Sequence, residues 1–238
     1  MKKCIVCLLS VFLVFSIITP YTHAYASNTS TDKIIYLTFD DGPGGKTTTD
    51  VLDILEKNNV KATFFVIGNQ IEGQEDTIRR IVNEGHSLGL HSMSHNKNLL
   101  YSSNEAFLSE MTELQELLKE ITNKNISILR FPFGANNSTY KLQHSLVDMI
   151  HEKGFKIYDW NVDSTDGANP YADSYTIFKR ATSAEDSKTP IILLMHCGYI
   201  NKNSAAALND VINYYLDHGY TFKPITSDTE EFYKFMNT

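Results

Sequence analysis

The stretch TFDDGP, residues Thr38–Pro43, decides the fold: it ends a buried strand with two carboxylates and a turn. The apolar run before it, Ile34 to Leu37, predicts a buried β-strand. Gly42-Pro43 is a typical turn pair. Neighbouring carboxylates repel each other unless a cation or an arginine compensates them. A single Asp-Asp pair usually belongs to a solvated loop, but the later strands of this chain end in side chains that suit both acids.

Strand-like and helix-like segments alternate along the chain from this stretch onward. The predicted strands are 34–39, 62–67, 86–90, 127–131, 155–160, 190–195 and 220–225. The predicted helices are 47–58, 75–84, 104–121, 140–153, 174–182, 205–218 and 229–236. Strict alternation predicts an α/β fold with a parallel sheet and helices outside it. About seven such units favour a (β/α) barrel, with a doubly wound open sheet as the alternative.

The first 26 residues are typical of a secretory signal peptide. Two lysines precede an uncharged apolar run at 4–18, and small residues lead up to a cleavage position after Ala26. A retained anchor is the alternative, although the run is short for a bilayer span. We expect 27–33 to be a flexible leader and 34–238 a single domain. The mature protein is then secreted or wall-associated, with no stable membrane insertion.

Charge and cysteine content restrict the partners and the compartment chemistry. The formal net charge is −7, and loss of the two leader lysines makes it −9. This acidic balance argues against nucleic acid and anionic membrane as partners. Cys197 would be the only cysteine after cleavage, so no internal disulfide is expected. We expect a monomer that is stabilised by its core and by a metal.

Reactive side chains lie at or just beyond the ends of five of the predicted strands. They are Asp40, Asp41, His91, His95, Arg130, Asp159 with Trp160, and His196. In a parallel barrel these strand ends lie on one face, where the loops build the active site. Solubility and packing do not explain such a set.

The spacing of four between His91 and His95 predicts a helical turn with both imidazoles on one side, where they can bind one metal ion. Two surface histidines would explain HxxxH alone, but an acid of the first stretch completes an Asp-His-His set. Three protein ligands with an open fourth position are typical of catalytic zinc. Arg130 would pair with the remaining acid, in catalysis or as a structural ion pair.

His196 ends an apolar strand, where a satisfied core histidine is the simpler interpretation. Asp159, at the end of the strand expected to neighbour it, would fix its tautomer and raise its pKa, as a general acid requires. Trp160 belongs either to the core or to a pocket wall that faces a sugar. Asp163 and Asp166 are interpreted as turn formers.

Taken together, these residues resemble the NodB-type polysaccharide deacetylases, carbohydrate esterase family 4, from about Ile34 to Ile225. Five motifs stand in order: Thr38–Pro43, His91-Ser92-Met93-Ser94-His95, Arg130-Phe131-Pro132-Phe133-Gly134, Asp159-Trp160 and Leu194-Met195-His196. Ala62-Thr63-Phe64-Phe65 matches the family's second strand. Two positions depart from the family pattern: Cys197 stands where Asp is frequent, and Gly167 stands where an aromatic is common.

The resemblance implies a distorted (β/α) barrel and one divalent metal, usually zinc, with cobalt, nickel or manganese as alternatives. It implies that Asp41, His91 and His95 are the metal ligands. The other implied roles are a base (Asp40), an arginine that orients it (Arg130), an acid (His196), an acid-orienting carboxylate (Asp159), an oxyanion-binding N–H (Phe133) and two pocket residues (Trp160 and Leu194).

The expected substrate is an acetylated polysaccharide, with N-acetylglucosamine in peptidoglycan ahead of chitin oligosaccharides and O-acetylated xylan. The expected products are acetate and a sugar with a free amine. A wall-binding domain that retains the barrel without turnover is the alternative from another functional class.

Overall fold

A parallel sheet of short strands forms the centre of the protein. The computed structural model describes residues 33–184 and 190–235; the expected signal peptide and the leader up to residue 32 lie outside them. The strands are β1 Ile34–Gly42, β2 Thr63–Val66, β3 Ser87–Leu90, β4 Ile128–Leu129, β5 Lys156–Ile157, β6 Val162–Asp163, β7 Ile191–His196 and β8 Thr221–Phe222.

Helices connect most of these strands. They are α1 Lys46–Lys57, α2 Glu75–Asn83, α3 Lys97–Leu100, α4 Asn104–Thr122, α5 His144–Glu152, α6 Ser174–Ala181 and α7 Lys202–Asp217. Seven strands pair in the order β5-β4-β3-β2-β1-β7-β6, and β8 pairs with the start of β1. All the pairs between these strands are parallel. The predicted distorted (β/α) barrel is therefore confirmed.

The alternation of side chains along β1 separates two environments. Ile35, Leu37 and Phe39 belong to the large apolar cluster that also includes the helices. Because side chains alternate between the faces of a strand, Thr38 and Asp40 point to the opposite, inner face. A second buried cluster lies there and contains Phe65, Ile128, Tyr158, Ile192 and Ile225.

The C-terminal segment departs from the sequence prediction. A helix was expected over 229–236, but residues 229–235 contain none, and residue 236 lies outside the described part. Phe232 N–H instead donates to the Ile157 carbonyl at 3.1 Å, and Asp159 N–H donates to the Phe232 carbonyl at 2.7 Å. The segment thus satisfies backbone groups of the edge strand β5, which outweighs its helical pattern.

Two small elements were missed from the sequence, and several strands are shorter than expected. The four-residue helix α3 follows the second histidine of the motif, and β6 follows β5 without a helix between them. The strand predicted over 155–160 extends only over Lys156–Ile157. Within 33–184 and 190–235, no helix is long and apolar enough to cross a bilayer.

Candidate active site

A bulge at the end of β1 turns the two neighbouring acids toward different partners. Asp40 pairs in register with Phe65 and Gly42 with Val66, so Asp41 is the additional residue. Asp41 has a φ of 64°, in the left-handed region that non-glycine residues rarely adopt. Bulges of this kind redirect side chains beside active sites.

Arg130 anchors Asp40 inside the barrel. Its Nη1 donates to Asp40 Oδ1 at 2.8 Å and to Thr38 Oγ1 at 2.7 Å, and its Nε donates to the Tyr158 carbonyl at 2.8 Å. The guanidinium lies 4.2 Å from the centre of the Phe65 ring, and Arg130 is fully buried. Burial raises the pKa of Asp40, and the nearby Arg130 charge opposes that rise. One carboxylate oxygen is therefore fixed, and the same side chain lines the candidate pocket.

His91 follows β3 and has a defined tautomer. Its Nδ1 lies 3.0 Å from the Arg130 carbonyl. A carbonyl only accepts hydrogen bonds, so Nδ1 carries the proton and Nε2 keeps its lone pair. Burial lowers the pKa of His91 to about 3, which keeps the ring neutral, as metal binding requires.

His95 is held by its own loop. Its N–H donates to Ser92 Oγ at 2.8 Å, and Ser92 and His95 have positive φ values of 69° and 52°. Ser94 donates through its N–H and its hydroxyl to Glu110 of α4, at 2.7 and 2.8 Å. The HxxxH segment is thus a fixed loop and not the helical turn that its spacing suggested.

The two histidines and Asp41 fit a metal ion. Asp41 Oδ1 lies 3.5 Å from Nε2 of His91 and 3.5 Å from Nε2 of His95. Two ligands of a tetrahedral zinc ion, each at about 2.0–2.1 Å from it, lie about 3.3 Å apart. Among the described residues, Asp41 Oδ1 is buried without a hydrogen-bond partner, as expected for an atom that a cation would satisfy.

On the strand beside β1, His196 ends β7 and pairs in register with Asp40. Its ring Nδ1 lies 2.7 Å from Asp166 Oδ1, and its backbone N–H donates to Asp166 Oδ2 at 2.8 Å. Burial opposes a charge on His196, but the hydrogen bond and the charge of Asp166 raise its pKa to about 9. The ring is therefore protonated at neutral pH and can donate a proton.

Asp166 is itself held as a carboxylate. It is fully buried and accepts hydrogen bonds from Ser164 Oγ at 2.7 Å and Ser204 Oγ at 2.6 Å. Burial alone would raise the pKa of Asp166, but the hydrogen bonds from His196, Ser204 and Ser164 keep it below its usual value. Such a carboxylate stabilises an imidazolium.

These groups line one cavity of about 310 Å³. Its walls are formed by Asp40, Asp41, His91, His95, Phe133, Trp160, Asp163, Gly167, Ala168, Leu194 and His196. The volume suits a small polar ligand or one sugar unit with its substituent. The cavity brings together a carboxylate fixed by arginine, a candidate metal site and a histidine paired with the buried Asp166 carboxylate.

Known proteins are similar to this chain in sequence and in fold. Residues 27–149 match the family described as polysaccharide deacetylase. The chain belongs to the polysaccharide deacetylase family. Members of this family are hydrolases that act on amide bonds, and metal dependence is typical of them.

Three relatives illustrate the similarity within the polysaccharide deacetylases. The chain is 36% identical over 194 residues to a peptidoglycan-N-acetylglucosamine deacetylase of Bacillus cereus, covering 80% of this chain and 68% of that protein. It is 34% identical over 203 residues to the putative polysaccharide deacetylase YheN of Bacillus subtilis, covering 84% of this chain and 70% of that protein. The catalytic domain of a peptidoglycan N-acetylglucosamine deacetylase from Eubacterium rectale superposes on this chain with a TM-score of 0.79 at 35% identity. The match covers 88% of this chain and 96% of that domain.

The expected contact between Asp159 and His196 is corrected by the structure. Asp159 accepts a hydrogen bond from the Ala135 N–H at 3.3 Å, and its carbonyl accepts one from Arg130 Nη2 at 3.2 Å. Burial raises the pKa of Asp159 to about 6. The sequence prediction made β5 the neighbour of the histidine strand, but the missed strand β6 pairs with β7. The loop after β6 therefore supplies the partner of His196.

Asp166 is the site residue that sequence reasoning missed, because Asp163 and Asp166 were both interpreted as turn formers. Asp163 does act in this way, since its Oδ1 accepts the Thr165 N–H at 2.7 Å. Asp166 does not, because its carboxylate turns inward. The sequence offers no periodic signal there, because the strand that leads to Asp166 is only the pair Val162-Asp163.

Proposed function

We propose that this protein removes the acetyl group from N-acetylglucosamine residues of peptidoglycan. The observation that carries the proposal is that an arginine-fixed carboxylate, an Asp-His-His set and a histidine paired with a buried carboxylate line one cavity. The similarity to peptidoglycan-N-acetylglucosamine deacetylases supports the choice of polymer. Chitin oligosaccharides and O-acetylated xylan rank below it.

In this proposal Asp41, His91 and His95 hold one divalent metal ion, with zinc as the first choice. An ion bound there would polarise the acetamide carbonyl and lower the pKa of a water molecule. The donor set fits because it combines one carboxylate with two imidazoles. Cobalt, nickel and manganese accept the same ligands, so elemental analysis of purified protein decides the identity.

Asp40 and His196 perform the proton transfers. Asp40 accepts the proton of the attacking water, and Arg130 holds the carboxylate so that its second oxygen faces the cavity. The water oxygen bonds to the carbonyl carbon, and the carbon–nitrogen bond breaks. His196 gives the proton on Nε2 to the leaving nitrogen, so that acetate and a free amine result. Asp166 keeps the opposite ring nitrogen in the required tautomer.

Phe133, Trp160 and Leu194 position the acetyl group in this proposal. The backbone N–H of Phe133 would donate to the developing oxyanion, an interaction worth about 3 kcal/mol per donor. Trp160 and Leu194 would enclose the acetyl methyl group. Asp159 supports this wall because its carboxylate accepts the Ala135 N–H in the same loop as Phe133.

We also propose that the protein acts outside the cytoplasm as a monomer, after removal of a signal peptide near Ala26. Peptidoglycan is extracellular, and this agrees with the apolar run near the start of the sequence. The mass of the exported protein tests this: a chain that begins near Ser27 supports cleavage, and an intact Met1 supports an anchor.

Acetate release from a panel of acetylated glycans tests the proposed function. The panel contains purified peptidoglycan, N-acetylglucosamine oligosaccharides and acetylated xylan, each with and without a chelator. We expect release from peptidoglycan that the chelator abolishes. Asp40→Asn is the matched inactive control. Binding of peptidoglycan without any acetate release would instead support a wall-binding domain.

A further inference from the structure

Tyr199 exposes an aromatic ring on the turn that follows the catalytic histidine strand. The residue is 64% exposed, three positions after His196. The preceding Gly198 packs against the backbone of the candidate metal ligand Asp41, since a Cβ on Gly198 would lie 3.3 Å from the carbonyl oxygen of Asp41. The backbone that carries Tyr199 is therefore beside the candidate active site, and Tyr199 is not among the residues that line the cavity.

The exposed ring is fixed in place. Its hydroxyl accepts a hydrogen bond from Gln74 Nε2 at 2.8 Å, and the Gln74 side chain also accepts the Gly45 N–H at 2.8 Å. A Cβ on Gly45 would lie 3.1 Å from the Tyr199 ring, so the missing side chain lets the ring lie close to this backbone. One side of the ring is supported while the rest of it meets solvent.

The turn that carries Tyr199 is anchored at both ends. Asn201 N–H donates to the Gly198 carbonyl at 3.1 Å, and Asn201 Nδ2 donates to the carbonyl of Asp166 at 3.2 Å. A Cβ on Gly44 would meet the Gly198 backbone at 2.4 Å, so the two loops are in backbone contact. The ring needs little ordering to bind a ligand, which favours affinity.

We propose that Tyr199 is a stacking platform for a neighbouring sugar of the glycan whose acetyl group enters the cavity. This inference rests on the proposed function, because it takes a polymer as the substrate. A polymer that places one unit in a cavity of about 310 Å³ must lay adjacent units across the rim. The C–H face of a pyranose is apolar and packs on an aromatic ring, whose hydroxyl stays hydrogen-bonded.

Binding by glycans of different length tests the platform. The probes are the N-acetylglucosamine disaccharide and hexasaccharide, and the protein carries Asp40→Asn so that both probes stay intact. Addition of Tyr199→Ala should weaken hexasaccharide binding about tenfold, and the loss for the disaccharide should be smaller. Tyr199→Phe keeps the ring and should retain most of the hexasaccharide affinity. Equal hexasaccharide affinity with and without Tyr199→Ala overturns the proposal, and so does an equal loss in the Phe and Ala variants.

Tyr175→Ala is the matched control. Tyr175 is 68% exposed but lies on α6, where its ring contacts Phe178 at 6.4 Å between centres. Hexasaccharide affinity should not change in this variant, and an equal loss there would show a general effect of exposed tyrosines. In proteins that keep Asp40, Tyr199→Ala should also lower kcat/KM for the hexasaccharide relative to the disaccharide. Absence of acetate release from every glycan would contradict the proposed function, whereas the binding comparison decides on Tyr199 by itself.

Discussion

Asp166 Oδ1 lies 2.7 Å from Nδ1 of His196. The Asp166 carboxylate is fully buried, and it also accepts hydrogen bonds from Ser164 Oγ at Oδ1 and from Ser204 Oγ at Oδ2. This pairing makes His196 the group of the candidate site that can donate a proton. It also links the short strand β6 to the chemistry, since the loop that carries Asp166 follows that strand.

Asp166→Asn should move the alkaline limb of the pH–rate profile to lower pH. His196 must be protonated to act as an acid, so activity falls as pH rises through its pKa of about 9. Loss of the carboxylate charge lowers that pKa and narrows the active range. The measurement is kcat/KM between pH 6 and 10. Asp159→Asn is the comparison, and a shift of the limb in Asp159→Asn but not in Asp166→Asn would contradict the pairing.

Metal should stabilise the folded protein through Asp41, His91 and His95. A ligand that binds only the folded state adds about 2.7 kcal/mol at a concentration one hundred times its Kd. Addition of Zn²⁺ to chelator-treated protein should therefore raise Tm. The rise should disappear in His95→Ala and persist in His151→Ala, which removes an exposed histidine far along the chain. An unchanged rise in His95→Ala would exclude this ligand set.

Arg130→Met should be strongly destabilising, because it leaves the Asp40 carboxylate buried without its partner. Removal of one member of a buried ion pair costs about 3–5 kcal/mol. Asp40→Asn in the same chain removes the unpaired charge and should restore part of that loss. Urea unfolding of the two single variants and the double variant measures the coupling. Strictly additive effects would show that the pair contributes little.

His86 should make stability depend on pH in a window below neutrality. Burial lowers its pKa to about 4, whereas the unfolded chain has the ordinary value of about 6.5. Between these values the unfolded state binds a proton that the folded state does not, so the free energy of unfolding decreases as pH falls. His86→Asn keeps an acceptor for the Ala62 N–H, which His86 Nδ1 accepts at 3.1 Å. In this variant the slope of the free energy of unfolding against pH should decrease within the window, by the equivalent of up to one bound proton. An unchanged slope would contradict the assignment.

The sequence predicted the barrel because apolar strand segments alternate with amphipathic helices, and the spacing of apolar residues differs clearly between the two. The strands around Phe39 and Leu193 are long and apolar, and they were placed within a few residues. Strand β6 has only two residues, Val162–Asp163, too few for any periodic pattern. The segment around Phe232 has a helical pattern, yet its backbone pairs with an edge strand that only the tertiary structure supplies.

In the candidate site, too, some residues could be predicted from local sequence and others depend on the tertiary structure. Strand ends indicated Asp40, His91 and Arg130, because parallel strands bring their carboxyl ends to one face. The bulge that turns Asp41 away from Asp40 depends on register with β2, which the sequence does not encode locally. Neighbour relations between strands depend on topology in the same way, and this is why Asp159 was expected where Asp166 lies.

Metal content measured beside turnover, for two neighbouring substitutions, tests the central claim most directly. Asp40→Asn keeps its shape but cannot accept a proton, so bound metal should remain while turnover falls by about 10² or more. Asp41→Asn removes a charged ligand, so metal content itself should fall. Elemental analysis and acetate release on the same preparations give both quantities. Loss of metal in Asp40→Asn with retention in Asp41→Asn would reverse the assignment, and full metal content with full turnover in both variants would contradict a catalytic centre at this strand end.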